Sequence, residues 1–190
     1  MKKLLGATLI FSLLCMHSYS QDDTEKKGFD KSRLFFGGTL GLSFGNYTII
    51  NVSPQVGYRF TEHFAAGAGI NYIYYNYKYY YPDGSLSERD TYSYVGLNVF
   101  GRAYPIRQFF VQVQPELNYV WGSNKYYGNG QEITNSIPSQ FVPSLLLGGG
   151  AAIPAGNGAI TITVLYDVIQ NTFSPYYHQA VFTFGFNVGF

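Results

Sequence analysis

The stretch AVFTFGFNVGF, residues 180–190, decides how the rest of the chain is read. Phe182, Phe184, Phe186, Val188 and Phe190 alternate with Thr183, Gly185, Asn187 and Gly189. A strict period of two puts one set on each face of a β-strand. Ending such a strand on an aromatic is unlike the frayed terminus of most soluble domains.

Working back toward the N-terminus, the same alternation recurs seven times. Strands are predicted near Leu34–Phe44, Thr48–Phe60 and Phe64–Tyr74, then around Val95–Ala103, Phe109–Trp121, Phe141–Ile153 and Ile160–Val168. Each is long enough to cross a bilayer when tilted, since about 9–11 residues suffice. TEH, PIRQ and PAGNG read as short turns on one side. The other side has one tight turn at Gly45-Asn46 and longer polar connections, including PDGSLSERD, GSNKYYGNGQEITNSIPSQ and NTFSPYYHQ. Pro54, Pro115 and Pro143 fall inside predicted strands, where each removes a ladder donor; bulges are expected there.

Composition fits this pattern. Charged residues are only 12% of the 190, and aromatics are 19%, with 19 Tyr and 16 Phe against a single Trp. Such a chain has little need of a charged surface. Residues 1–20 form a secretory signal peptide: a basic MKK, a short apolar run and small residues before Gln21. Cleavage leaves 10 basic and 11 acidic residues and removes the one cysteine. The exported chain thus offers no basic patch for nucleic acid and no thiolate for a disulfide or metal. Residues 21–33 read as a flexible periplasmic lead, and residues 34–190 as one β-barrel domain.

Two barrels share this alternation, one with its apolar face inward and one with it outward. The apolar faces carry no Asp, Glu, Lys or Arg, and the opposite faces are rich in Gly, Ser, Thr, Asn and Gln, residues that fit a narrow lumen. Aromatics gather in two belts: Tyr72, Tyr74, Tyr92, Tyr119, Trp121 and Tyr166 at the loop end, and Tyr58, Phe60, Phe64, Tyr104 and Phe109 at the turn end. The expected fold is therefore all-β: an eight-stranded, antiparallel, up-and-down transmembrane barrel.

The signal sequence, the eight alternating strands and the final VFTFGFNVGF resemble the small outer-membrane barrels of the OmpA and OmpX type, within the broader outer-membrane β-barrel domain families. The resemblance implies a Gram-negative outer-membrane location and outer-membrane lipids as surroundings. It also implies a terminal signal, here Phe186 and Phe190, read by the barrel-assembly machinery. A structural and surface-interaction role is expected, with a porin-like small-solute channel as the alternative and a lipid A-modifying enzyme third.

The candidate sites follow from the lumen face and the loops. Arg59, Arg102, Glu116 and Asp167, with Gln112 and Gln114, form an expected polar network of ion pairs and amide hydrogen bonds, because a charge in a narrow barrel is costly unless compensated. The Tyr-rich run from Tyr72 to Tyr94 predicts a hairpin that continues past the bilayer. Its Tyr77, Tyr79, Tyr80, Tyr81 and Tyr92 are a candidate surface for an extracellular protein or glycan. An exposed strand edge there is a second means of recruiting a partner. His178, Ser174 and Asp167 fit no nucleophile pattern, so no catalytic, metal or cofactor residue is expected, and the chain is expected to be monomeric.

Overall fold

The computed structural model describes residues 30–43, 47–128 and 131–189. The expected signal peptide, residues 21–29 of the expected lead, the expected Gly45-Asn46 turn and Phe190 lie outside the described residues. A single 3₁₀ turn at Lys31–Arg33 precedes eight strands. They are β1 Leu34–Ser43, β2 Tyr47–Arg59, β3 Phe64–Tyr80, β4 Leu86–Ile106, β5 Phe109–Gly128, β6 Gln131–Ala155, β7 Gly158–Asp167 and β8 Ala180–Val188. Each pairs antiparallel with its sequence neighbour, and β8 pairs with β1, so the sheet closes as an up-and-down barrel.

Alternation decides which way each side chain points. Leu97, Phe141 and Phe182 point outward and are 66%, 68% and 69% exposed, while Asn71, Asn98, Asn118 and Asp167 point inward and are buried. The apolar face is outside and the polar face inside, as the sequence predicts.

Three features differ from the prediction. The polar stretch GSNKYYGNGQEITNSIPSQ is not a loop: β5 and β6 run through it and pair from Gly128↔Gln131 downward. Strands β3–β6 are 17–25 residues long against 9–13 for the others. Four strands therefore rise as a sheet-like fin past the end of the barrel. Tyr104, expected in the turn-end belt, is instead buried inside. Finally, the prolines do not create bulges where expected. Pro54 pairs with Gly38, and Pro115 pairs with Leu145, without a register shift. The shifts fall instead between Ala103 and Ile106, beside Pro105, and where Ile137 and Gln140 flank Pro138 opposite Val120 and Gly122. A third lies at Tyr79/Tyr80.

The interior has three layers, because eight strands leave room for side chains and little else. Phe35, Phe100, Tyr104 and Phe110, with Ala65, Ala152 and Ala159, fill the end near the short turns. Ile73, Tyr94, Val120, Val142, Leu146, Leu165 and Tyr176 fill the fin end. Polar side chains lie between them.

The seam is the narrowest part of the sheet. Among the described residues four pairs join β1 to β8, Phe36↔Val188 to Thr39↔Gly185. A Cβ on Gly37 would lie 2.3 Å from the Phe186 carbonyl oxygen and 2.1 Å from Asn187 Oδ1, whereas one on Gly41 would meet nothing closer than Asn51 Cβ at 3.5 Å. Gly37→Ala should therefore destabilise the barrel by about 1–3 kcal/mol, and Gly41→Ala should leave it unchanged. Denaturant titration followed by the fluorescence of Trp121 checks this; equal midpoints for the two variants would refute the tight seam.

Candidate functional site

The lumen site is built on β5. Its inward positions are Phe110, Gln112, Gln114, Glu116, Asn118 and Val120, spaced by two as a strand requires. Arg102 of β4 lies directly opposite Gln112. Its Nε donates to Gln112 Oε1 at 2.7 Å, Gln112 Nε2 donates to Gln114 Oε1 at 2.7 Å, and Gln114 Nε2 donates to Glu116 Oε2 at 3.2 Å. A buried cation and a buried carboxylate are thus joined through two aligned amides.

This corrects the expected ion pairs. Among the described residues, no direct salt bridge links Arg102, Glu116 and Asp167. The Arg102 guanidinium instead lies 4.6 Å from the Phe100 ring centroid and 4.9 Å from that of Phe110, a cation between two π-faces. Glu116 Oε1 accepts hydrogen bonds from Asn118 Nδ2 at 2.6 Å, the Tyr176 hydroxyl at 2.9 Å and Asn71 Nδ2 at 3.2 Å. Hydrogen bonds to a charged acceptor are each worth about 1.5–3 kcal/mol, so four donors compensate a carboxylate that no cation touches.

Arg59 and Asp167 take no part in this relay. The guanidinium of Arg59 lies 5.3 Å from the Tyr104 ring centroid, toward the turn end. Asp167 ends β7 and organises the segment after it. Its Oδ1 accepts the N–H groups of Leu145 and Ile169, both at 3.1 Å, and its Oδ2 accepts the Ser174 hydroxyl at 2.8 Å. Ser174 also meets Ser144 Oγ at 3.0 Å. Residues 168–179 thereby fold back into the mouth and carry Tyr176 down to Glu116. Gln170 and His178 take positive φ values of 54° and 55°, costly for residues with a Cβ, and are held by the Gln170 carboxamide, whose Oε1 accepts the His178 N–H at 2.9 Å. The His178 ring itself lies against Tyr177.

Tyr176 is the lumen residue that the sequence did not identify. It sits in a stretch with no periodicity. No signal in the sequence pointed to it, since Gln114, Asn118 and Asn71 already supply strand donors to Glu116.

A small cavity of about 40 Å³ touches Arg102, Gln112, Gln114, Glu116, Tyr176 and Asn187. It holds a few water molecules at most, and an apolar layer closes the barrel on either side of it.

The second site is the fin. Pairing in register divides the five tyrosines chosen from the sequence. Tyr77, Tyr79 and Tyr92 point to its inner face, which also carries Glu88, Asp90, Asn124 and Tyr126. Tyr80 belongs to the outer face, and Tyr81, at the hairpin tip, donates its hydroxyl to the Tyr127 carbonyl at 3.3 Å. On the inner face Tyr77 stacks with Tyr47 and Tyr75, at centroid separations of 6.2 and 6.0 Å. Burial pushes the Asp90 carboxyl up, against a 2.7 Å hydrogen bond from Asn124 Nδ2 that lowers it. At the tip, the Ser85 hydroxyl and N–H hold the Asp83 carboxyl below its ordinary range and pin the turn.

The fin's long edge is β6, whose residues 131–145 have no β7 partner. Leu145 aims its backbone toward β7, where its carbonyl accepts from the Val168 N–H. Pro143, two residues earlier, faces the same way and has no N–H to offer. Pro138 follows along the same strand. This edge is blunted against strand addition, so the Tyr face is the better candidate for recognition.

These features define a closed, eight-stranded, antiparallel barrel with an apolar exterior and a polar, filled interior. No protein-family model matches the chain, and no curated protein matches it. Among solved structures it is similar to neisserial surface protein A (NspA), with 12% identity, a TM-score of 0.45, and coverage of 83% of this chain and 94% of that one. It is also similar to the Yersinia pestis outer membrane protein Ail in a phospholipid bilayer nanodisc, with 12% identity, a TM-score of 0.42, and coverage of 82% and 96%.

The amide relay makes Arg102 and Glu116 energetically dependent on each other. In a double-mutant cycle, Arg102→Met and Glu116→Gln should each destabilise the protein. The double variant should lose about 0.5–3 kcal/mol less than their sum. Strict additivity in denaturant titrations would show that the glutamines transmit nothing.

Proposed function

We propose that the chain is an integral outer-membrane barrel that contributes to envelope structure and presents the fin as an interaction surface. One observation carries this reading: the side chains exposed around the whole barrel are large and apolar, while the buried ones between its ends are polar. An apolar patch beyond a few hundred Å² is rare on a soluble monomer, and here the apolar surface forms a continuous band. A closed barrel in hydrocarbon needs that arrangement, since all its backbone groups pair internally. Above the band on the outer face, Tyr74, Tyr119, Trp121 and Phe141 form an aromatic belt. Tyr119 lies 5.9 Å from Trp121 and 5.1 Å from Phe141, as expected at a membrane–water interface.

The fin supports the interaction role, because its Tyr-rich inner face offers rigid aromatic area with hydrogen-bonding groups at low entropic cost. A protein or glycan is the expected ligand class. Conduction is the weaker reading, since apolar layers close both ends of the lumen. Catalysis has no support in the geometry described: Ser174 is committed to Asp167 and Ser144, and the His178 ring to Tyr177.

Protein extracted in detergent should migrate faster on a gel before boiling than after. It should also precipitate when detergent is withdrawn. A freely soluble folded chain would overturn the assignment. Leu97→Arg, in the middle of the apolar band, should reduce stability in a bilayer by about 2–4 kcal/mol, measured by reversible unfolding in lipid. Planar-bilayer recordings should show no steady conductance. Replacing Tyr77, Tyr79 and Tyr92 together by Ser should leave the gel shift intact and reduce adhesion of cells displaying the protein; unchanged adhesion would remove the recognition role.

A further inference from the structure

The outer face of the fin is ordered in rows, and the proposed function uses only the aromatic one. Directly paired residues on adjacent strands present their side chains on the same face, so the register reads across β3, β4 and β5. The lowest row is Tyr74, Ser93 and Trp121; the next is Asn76, Thr91 and Ser123; the third is Lys78, Arg89 and Lys125. The sheet thus changes from aromatic, to amide and hydroxyl, to cationic, two residues at a time.

The third row is the anomaly. Lys78 pairs with Arg89, and Arg89 pairs with Lys125, with about 4.5–5.5 Å between the Cα atoms of each pair. Like charges directly opposite each other destabilise a sheet, and two such contacts share Arg89. Among the described residues of the fin, Lys125 alone forms an ion pair, with Glu132. Arg89 Nε is shielded from solvent and has no hydrogen-bond partner. On this face three cations stand against one carboxylate, with Glu88 and Asp90 turned to the opposite face, and backbone pairing fixes the three cations in a half-buried row.

We propose that this face binds a phosphorylated glycolipid of the surrounding leaflet. The acyl part would lie against the aromatic row, the sugar hydroxyls against Asn76, Thr91 and Ser123, and the phosphate on Lys78, Arg89 and Lys125. The assignment rests on the outer-membrane reading above. Height supports a lipid over a free solute. Lys78 and Lys125 are each four residues beyond the belt residues Tyr74 and Trp121 on the same strand. That is about 13 Å along the strand, and less along the membrane normal because barrel strands tilt. The cations therefore stand over the headgroup zone, and their long stems let the charges reach down toward it. Guanidinium is also the side chain best shaped to hold a phosphate through paired hydrogen bonds.

The test uses the full protein in nanodiscs, titrated with a doubly phosphorylated, acylated diglucosamine lipid. Parallel arms use the same lipid after phosphatase treatment and inorganic phosphate alone. Wild type should prefer the phosphorylated lipid by at least about tenfold. Arg89→Gln and the triple variant Lys78→Gln/Arg89→Gln/Lys125→Gln should lose that preference, with the gel-mobility shift proving that they still fold. Lys31→Gln, outside the fin, should keep it. Equal binding of the dephosphorylated lipid, full affinity in the triple variant, or equally tight binding of inorganic phosphate would each overturn the proposal. Failure of the membrane reading would appear separately, as a chain that stays folded in water before any lipid is added.

Discussion

The structure depends on the demand that every backbone N–H and C=O of a sheet with an apolar exterior be paired within the chain. An open sheet leaves two unpaired edges, and only closure removes both. Here closure is achieved by a short join between β1 and β8, where Gly37, Gly38 and Gly185 let backbone and side-chain atoms of neighbouring strands approach where a Cβ would collide. Above the join, the sheet is no longer closed. The four longest strands continue alone, and their free edge on β6 carries prolines that discourage pairing.

Closure creates the second constraint, a narrow interior that must be filled without stranding polar groups. The chain answers with layers. Aromatic residues close the turn end, an apolar cluster that includes Tyr176 closes the other, and the middle is a hydrogen-bonded ladder along β5. Separating Arg102 from Glu116 by two glutamines is a chemically distinct answer from a contact ion pair. Each charge keeps donors, acceptors or π-faces of its own, while the amide dipoles align with the field between them. The segment after β7 completes this arrangement, since Asp167 positions Ser174 and the fold of 168–179 delivers the Tyr176 hydroxyl to Glu116.

Much of this was legible in the alternation. The period of two in residues such as Leu97 and Asn98, or Phe186 and Asn187, fixes which face meets which medium, and so fixes the orientation of the barrel. Gln112, Gln114 and Glu116 were recognisable as lumen residues from their spacing alone. Pairing between them was not, because which amide bonds to which depends on rotamers and on the strand opposite. The extent of β6 was hidden for a different reason: from Gln131 to Gln140 both faces of the fin are wet, so hydrophobicity carries no period. The inward aromatics were obscured where neighbours are alike. Phe35 and Phe36, or Phe109 and Phe110, are adjacent aromatics that point in opposite directions, and an apolar-versus-polar reading sees only one block. Tyr176 was inaccessible because its place is set by a tertiary partner sixty residues away in the chain.

The seam also bears on the order of events during maturation. Strands β2 to β7 each find a partner next to them in sequence, through hairpins that form by local search. The β1–β8 pairing instead joins residues 36–39 to residues 185–188 and must wait until all eight strands have been made and aligned. Contacts of such long sequence separation form slowly. An intermediate that is curled but unsealed, with two unsatisfied edges, would be the species in greatest need of a catalyst or chaperone.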